Sequence, residues 1–127
     1  MKESSGRSGK IGSKINHMNE PARHAEDVRQ HMAAKAEKVR RDMRLRELHR
    51  IASERLADDA LGAQARLRAI HRVDLWESRG LCSRDYIAAW RRLLALDAAS
   101  FRHEVLSDAP GMVALRQNTP FGFLLRE

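Results

Sequence analysis

Residues 80–96 read GLCSRDYIAAWRRLLAL, and this stretch decides the fold class. Gly80 can end one helix, because glycine enters the left-handed region without a Cβ clash. Ser83 can open the next by accepting a first-turn N–H. Cys82 and Ile87 stand at the two positions of a hydrophobic staple around that cap. Tyr86, Ile87, Trp90, Leu93 and Leu94 then recur at helical spacing, with Arg91 and Arg92 off the stripe. Two helices joined by a tight turn follow from these residues.

Outward from this turn the same reading continues. A helix is expected from Asp58 or Asp59 to Arg79, on a stripe of Leu61, Ala65, Ala69, Val73 and Trp76 widened by Ile70 and Leu75. Gly62 near its start weakens it. The helix opened by Ser83 is expected to run to about Leu96. Asp97 can cap a short helix to about Leu106, with Leu96 and Phe101 as its staple. Asp108 can cap a last helix through Arg116, and Asn118 suits a left-handed terminating position before Thr119 and Pro120.

Upstream, a long helix is expected from about Pro21 to Leu56. Asn19 is its candidate cap, and Pro21 suits a first turn, where the missing N–H costs nothing. Its apolar stripe changes direction. Val28, Met32, Val39 and Met43 share one face. Leu45, Leu48, Ala52 and Leu56 form a second series, rotated by roughly half a turn at ~100° per residue. The first series is thin and Met-bearing, the second suits a core.

The chain of 127 residues is long enough for one domain with a modest core. Its apolar residues are mostly Ala and Leu, which favour helix over strand. The expected architecture is all-α: a small bundle of four to five helices, whose long N-terminal helix can project as an arm. Residues 1–17 are expected to be an unordered leader of the kind an expression vector adds, because Met18 follows His17 and the stretch is rich in Ser, Gly and Lys. Residues 18–127 are then one helical domain, with 22–43 as the arm and 44–127 as the core. Leu48, Ile51, Leu56, Ile70, Val73, Trp76, Ile87, Trp90, Leu93, Leu94, Phe101 and Leu106 are the expected core residues. Apolar residues at a terminus, here Phe121, Phe123, Leu124 and Leu125, are expected to fold back onto that core or else to form a docking surface.

Formal charge is +7, from 24 basic and 17 acidic groups. Residues 1–17 carry four basic groups and one acid, so the remainder is only +4. Basic character points to an anionic partner without choosing among nucleic acid, acidic protein and membrane surface. The single cysteine, Cys82, excludes an intramolecular disulfide and fits a reducing compartment. With no apolar run of about 18 residues and no secretory pattern, a cytoplasmic protein of bacterial type is expected, with no membrane partner.

Several groups are candidates for chemistry. Arg40, Arg41 and Arg44 lie opposite the Val39/Met43 stripe and could follow a phosphate backbone. Internal ion pairs such as Glu37 with Arg41 or Glu47 with Arg50 are the plainer account. Arg84, Arg91 and Arg92 would be the contacts if the helix after Ser83 entered a DNA groove. His17, His24 and His31 recur every seven residues, but His24 and His31 are ~10 Å apart along a helix, too far to share a metal. His49, His71 and His103 are isolated and expected to be partly exposed. Cys82 lacks a His–Asp or His–Asn arrangement beside it, so catalysis by its thiolate is not expected.

The expectation is therefore a non-enzymatic helical regulator or inhibitor with no cofactor and no metal, acting on a protein partner. Size and composition are those of phage, plasmid or toxin–antitoxin accessory proteins, an analogy only. Val28, Met32, Val39 and Met43, with Phe121 and Phe123, are its candidate partner-binding residues, and residues 22–43 could also pair in a homodimer. Direct nucleic-acid binding through Arg40, Arg41, Arg44, Arg84, Arg91 and Arg92 is the alternative.

Overall fold

Gly80 does end a helix, at φ 65°, and its N–H closes the last turn onto the carbonyls of Trp76 and Glu77. A computed structural model describes the backbone of residues 4–126 and the side chains of residues 20–126. The element order is α1 Ser4–Ala57, α2 Gly62–Arg79, α3 Arg84–Leu94, α4 Ala98–Val105 and α5 Pro110–Arg116, followed by a 3-10 turn over Gly122–Arg126. The described residues form an all-α protein of five helices with no strand. Of the leader expected to be unordered, residues 1–3 lie outside the described residues and residues 4–17 are helical backbone of α1; Asn19 stands inside that helix and not at its start. Pro21 stands inside α1, not in its first turn. A proline removes one N–H and bends the helix locally, but a helix can pass through it.

The chain divides into two units, Met1–Arg40 and Arg41–Glu127. In the first, every described side chain from Glu20 to Arg40 is exposed. The second holds the core.

Local chemistry places each helix of the second unit. After α1 the Asp58 carboxylate accepts the N–H groups of Ala60 and Leu61, both at 2.8 Å, and turns the chain. Gly62 opens α2 against the backbone of Leu56, and a Cβ there would fall well inside contact distance of the Leu56 carbonyl. The glycine that weakened the helix in the sequence is thus what lets α1 and α2 turn so tightly. Ser83 caps α3 through the Tyr86 N–H at 3.2 Å. Asp97 caps α4 through the Ser100 N–H at 2.9 Å. Asp108 does not cap α5. Pro110 takes the first helical position and Ala109 becomes the cap residue, with no side-chain bond. Proline lacks an N–H and has a helical φ, so it sets the start itself. Asn118 is not left-handed, since among the described residues only Gly80 has positive φ.

The α3 helix lies at the centre of the packing, against α2 on one side and α4 on another, and α5 packs on α4. Ile87, Trp90, Leu93 and Leu94 of α3 are buried, together with Leu48, Ala52 and Leu56 of α1, Ala65, Ala69 and Val73 of α2, and Phe101 and Val105 of α4. The second series of α1 is therefore core, as its spacing predicts. Ile51 is 38% exposed, because it stands one residue, ~100° of helix, off that series. Ile70, Trp76 and Leu106 pack at the rim and are half-buried.

The tail closes the core. Phe121 is fully buried, with ring centroids 5.7 Å from Phe101, 6.1 Å from Trp90 and 6.0 Å from Phe123. The Trp90 indole N–H donates to the Asn118 carbonyl at 2.8 Å. These edge-on and tilted rings add to plain area burial by ~1 kcal/mol a pair. Three polar side chains, His49, Ser53 and Arg116, are buried among the described residues. Arg116 donates to the carbonyls of Val105 at 2.7 Å and Ser107 at 2.8 Å, closing the end of α4. His49, expected to be partly exposed, is fully buried.

Candidate interaction surface

The candidate residues separate into those the fold consumes and those it leaves at the surface. Phe121 and Phe123 are consumed. Both are buried, so the fold-back is realised at these two residues, while Leu124 is half-buried and Leu125 is 74% exposed. The Arg68 guanidinium lies 4.2 Å over the Phe123 ring and covers it from solvent.

Arg91 and Arg92 are exposed but engaged. Arg91 bridges from α3 to α2, at 3.0 Å from Asp74 and 2.7 Å from Glu77. The Arg91 guanidinium holds the Glu77 carboxyl below its usual range. Arg92 reaches Glu104 of α4 at 2.9 Å. These arginines tie the central helix to its neighbours, and its apolar face is filled by the core. Arg84 is exposed at the N-terminal end of α3. A recognition helix must offer one face to a groove. What α3 offers is Arg84, Asp85 and Ala88 with two cations already bound to carboxylates.

On α1, Arg40 is paired with Glu37, from Nη2 at 2.9 Å and Nε at 3.2 Å. Glu47 with Arg50 is present at 2.6 Å. Arg41 and Arg44 are exposed. Helix-surface pairs three and four residues apart stabilise little and leave the cations in water.

The apolar series of α1 remains. Val28 is 43% exposed, Met32 63%, Val39 51% and Met43 66%. The α-helical backbone puts Val28, Met32 and Val39 on one face by their spacing. In the second unit the exposed large apolar residues are more scattered. Leu67 and Ile70 line a shallow hollow of about 480 Å³ along α2 with Gln64, Arg68, His71 and Asp74. A smaller hollow of about 230 Å³ is lined by Arg68, His71, Arg72, Leu75, Phe123 and Arg126. The first hollow runs along α2 residues alone, at helical spacing; the second joins α2 to the tail, which meet only on folding.

His49 shows what the buried polar groups do. Its Nδ1 lies 2.6 Å from the Leu45 carbonyl, which can only accept, so Nδ1 carries the proton. Nε2 then accepts from the Thr119 hydroxyl at 2.7 Å. The Thr119 oxygen in turn accepts the Phe121 N–H at 3.1 Å. The chain of bonds fixes the tail against α1. Burial holds the imidazole neutral and pushes its pKa down to about 4. The hydroxyl, the carbonyl and two aromatic rings account for the whole imidazole, so its role is structural.

No family model, curated protein or solved structure matches this chain. Among the described residues no helix is long and apolar enough to cross a membrane.

Proposed function

We propose that this chain is a non-enzymatic regulator or inhibitor that binds another protein through the exposed apolar face of α1. The observation that supports it is the division of labour along one helix. Leu48, Ala52 and Leu56 are inside the core, while Val28, Met32 and Val39 are exposed. A row of Val and Met at helical spacing adds nothing to the stability of an exposed helix. It gains its free energy when another apolar surface covers it. Methionine suits such a face, because its flexible, polarisable side chain adapts to the partner.

Direct nucleic-acid binding is the second reading, favoured by the exposed Arg41 and Arg44. It explains the cations and leaves the apolar row without a purpose. The two readings separate by salt and by nuclease. A complex anchored by Val28, Met32 and Val39 survives both. A phosphate-bound one weakens steeply as salt rises. Capture of partners by the whole chain and by Met32→Glu/Val39→Glu, with nuclease present, tests the proposal. A specific protein partner lost only with the variant supports it. Partners that vanish with nuclease alone transfer the weight to the arginines.

A further inference from the structure

The apolar row of α1 belongs to a longer recurrence. Ala25–Lys35 reads AEDVRQHMAAK, and Ala36–Arg46 reads AEKVRRDMRLR. Ala, Glu, Val, Arg and Met occupy the first, second, fourth, fifth and eighth places of both, and a cation closes each. The period is eleven. Eleven residues make three helical turns at ~3.67 residues per turn, close to the natural twist, so equivalent positions stay on nearly one face. Sustained apolar recurrence of this period is the mark of helices that pair along their length with a straight or slightly right-handed course.

The face this recurrence builds is narrow. At ~100° per residue, Val28, Met32, Ala36 and Val39 fall within roughly 80° of the helix circumference. A seam that narrow is the width of a helix–helix contact. A membrane-surface helix needs a broader face with bulky Trp, Phe or Leu, and residues 25–40 contain none of these. The borders of the seam are basic. Arg29 and Arg40 lie along one edge, and Lys35 lies on the other. Arg29 and Arg40 pair at 2.6 Å and 2.9 Å with Glu26 and Glu37 of their own helix, on exposed side chains. Exposed pairs of this kind are worth about 0–1 kcal/mol, so they yield to a better carboxylate. A second copy of the chain would set cation against cation. Its Arg29 and Arg40 would meet their own kind in an antiparallel pair and Lys35 in a parallel one. Phosphates would satisfy the borders but leave Val28, Met32 and Val39 uncovered.

We infer that residues 25–40 pair with an acidic amphipathic helix of another protein, one whose apolar residues follow the same eleven-residue spacing and whose Asp or Glu side chains meet Arg29, Lys35 and Arg40. This rests on the interaction reading above and names the chemistry of the partner. Apolar contact along the seam supplies affinity, and the border charges select partner and orientation.

Two synthetic helical peptides test it. They carry identical apolar positions at the eleven-residue spacing, with Glu at every border position in one and Lys in the other. Titrated calorimetrically into the full chain, the Glu peptide should bind at least ten times more tightly than the Lys peptide. Met32→Glu should abolish binding, and Arg29→Glu/Arg40→Glu should reverse the preference. Equal affinity for both peptides, or no binding of the Glu peptide, overturns the inference. So does a dimer in sedimentation that Met32→Glu dissociates, because the face is then filled by a second copy. If the peptides fail while a nuclease-resistant partner is still lost with Met32→Glu/Val39→Glu, this inference falls and the interaction reading stands. If that loss is also absent, both fall.

Discussion

The His49 imidazole and the Thr119 hydroxyl, 70 positions apart in the chain, meet at 2.7 Å inside the protein. The bond ties the tail to α1 and sets Phe121 among Trp90, Phe101 and Phe123. It requires a neutral imidazole, since Nε2 must accept. Burial enforces this by lowering the His49 pKa from 6.5 to about 4.

Stability should therefore fall on mild acidification. Between pH 6.5 and about 4 the unfolded chain binds a proton at His49 that the folded chain refuses. Stability rises with pH wherever the unfolded state holds more protons, so the stabilising effect is complete above pH 6.5 and lost progressively down to about 4. The full loss is roughly 3 kcal/mol. Glu47, Glu77 and Asp97, whose carboxyls are held low, add their share only at lower pH. Urea unfolding from pH 7.5 to 4 checks this. His49→Gln should flatten the slope, and an unchanged slope would contradict the assignment.

Trp90 and Phe121 anchor the core, and truncation of either leaves a large cavity. Trp90→Ala also orphans the Asn118 carbonyl. Each should cost about 3–5 kcal/mol in chemical denaturation. A cost under ~1 kcal/mol for Phe121→Ala would mean that the tail is not part of the core.

Gly62→Ala offers a test of the turn between α1 and α2. Alanine is the better helix former by ~1 kcal/mol, yet its Cβ would press on the Leu56 carbonyl, a backbone atom with little room to move. A net destabilisation of about 1–3 kcal/mol is expected. A gain in stability would show that the turn opens freely.

The apolar face of α1 should be silent in stability. Met32→Glu and Val39→Glu replace exposed side chains with a good helix former and should shift unfolding by no more than ~0.5 kcal/mol each. A large loss would place these residues in a packed interface of the folded chain.

Much of the fold could be read from local chemistry. Ser83, Asp97 and Gly80 act as the sequence suggests, because a cap needs only a few neighbouring residues. The spacing distinguished two apolar series on α1, and only the second, Leu48, Ala52 and Leu56, is buried. Other features depended on the whole fold. His49 and Arg116 are buried polar groups whose partners come from distant segments or from the carbonyl ends of another helix, so no local pattern reveals them. Gly62 looked like a flaw and is a steric requirement set by Leu56. Asp108 lost the cap to Pro110, whose ring fixes the helix start one residue later. Arg91 and Arg92 looked free for a ligand and are held by Asp74, Glu77 and Glu104. The exposure of the apolar row required the structure, while its eleven-residue period is carried by residues 25–46 of the sequence itself.

The most direct test of the central claim compares the full chain with Met32→Glu/Val39→Glu as baits in nuclease-treated lysate of the source cell, read by quantitative mass spectrometry. The account predicts a defined protein partner enriched at least tenfold on the unaltered chain over the variant, resistant to nuclease and weakened by added salt far less than a phosphate-bound complex would be. Equal recovery on both baits, or recovery only of partners that disappear with nuclease, would contradict it.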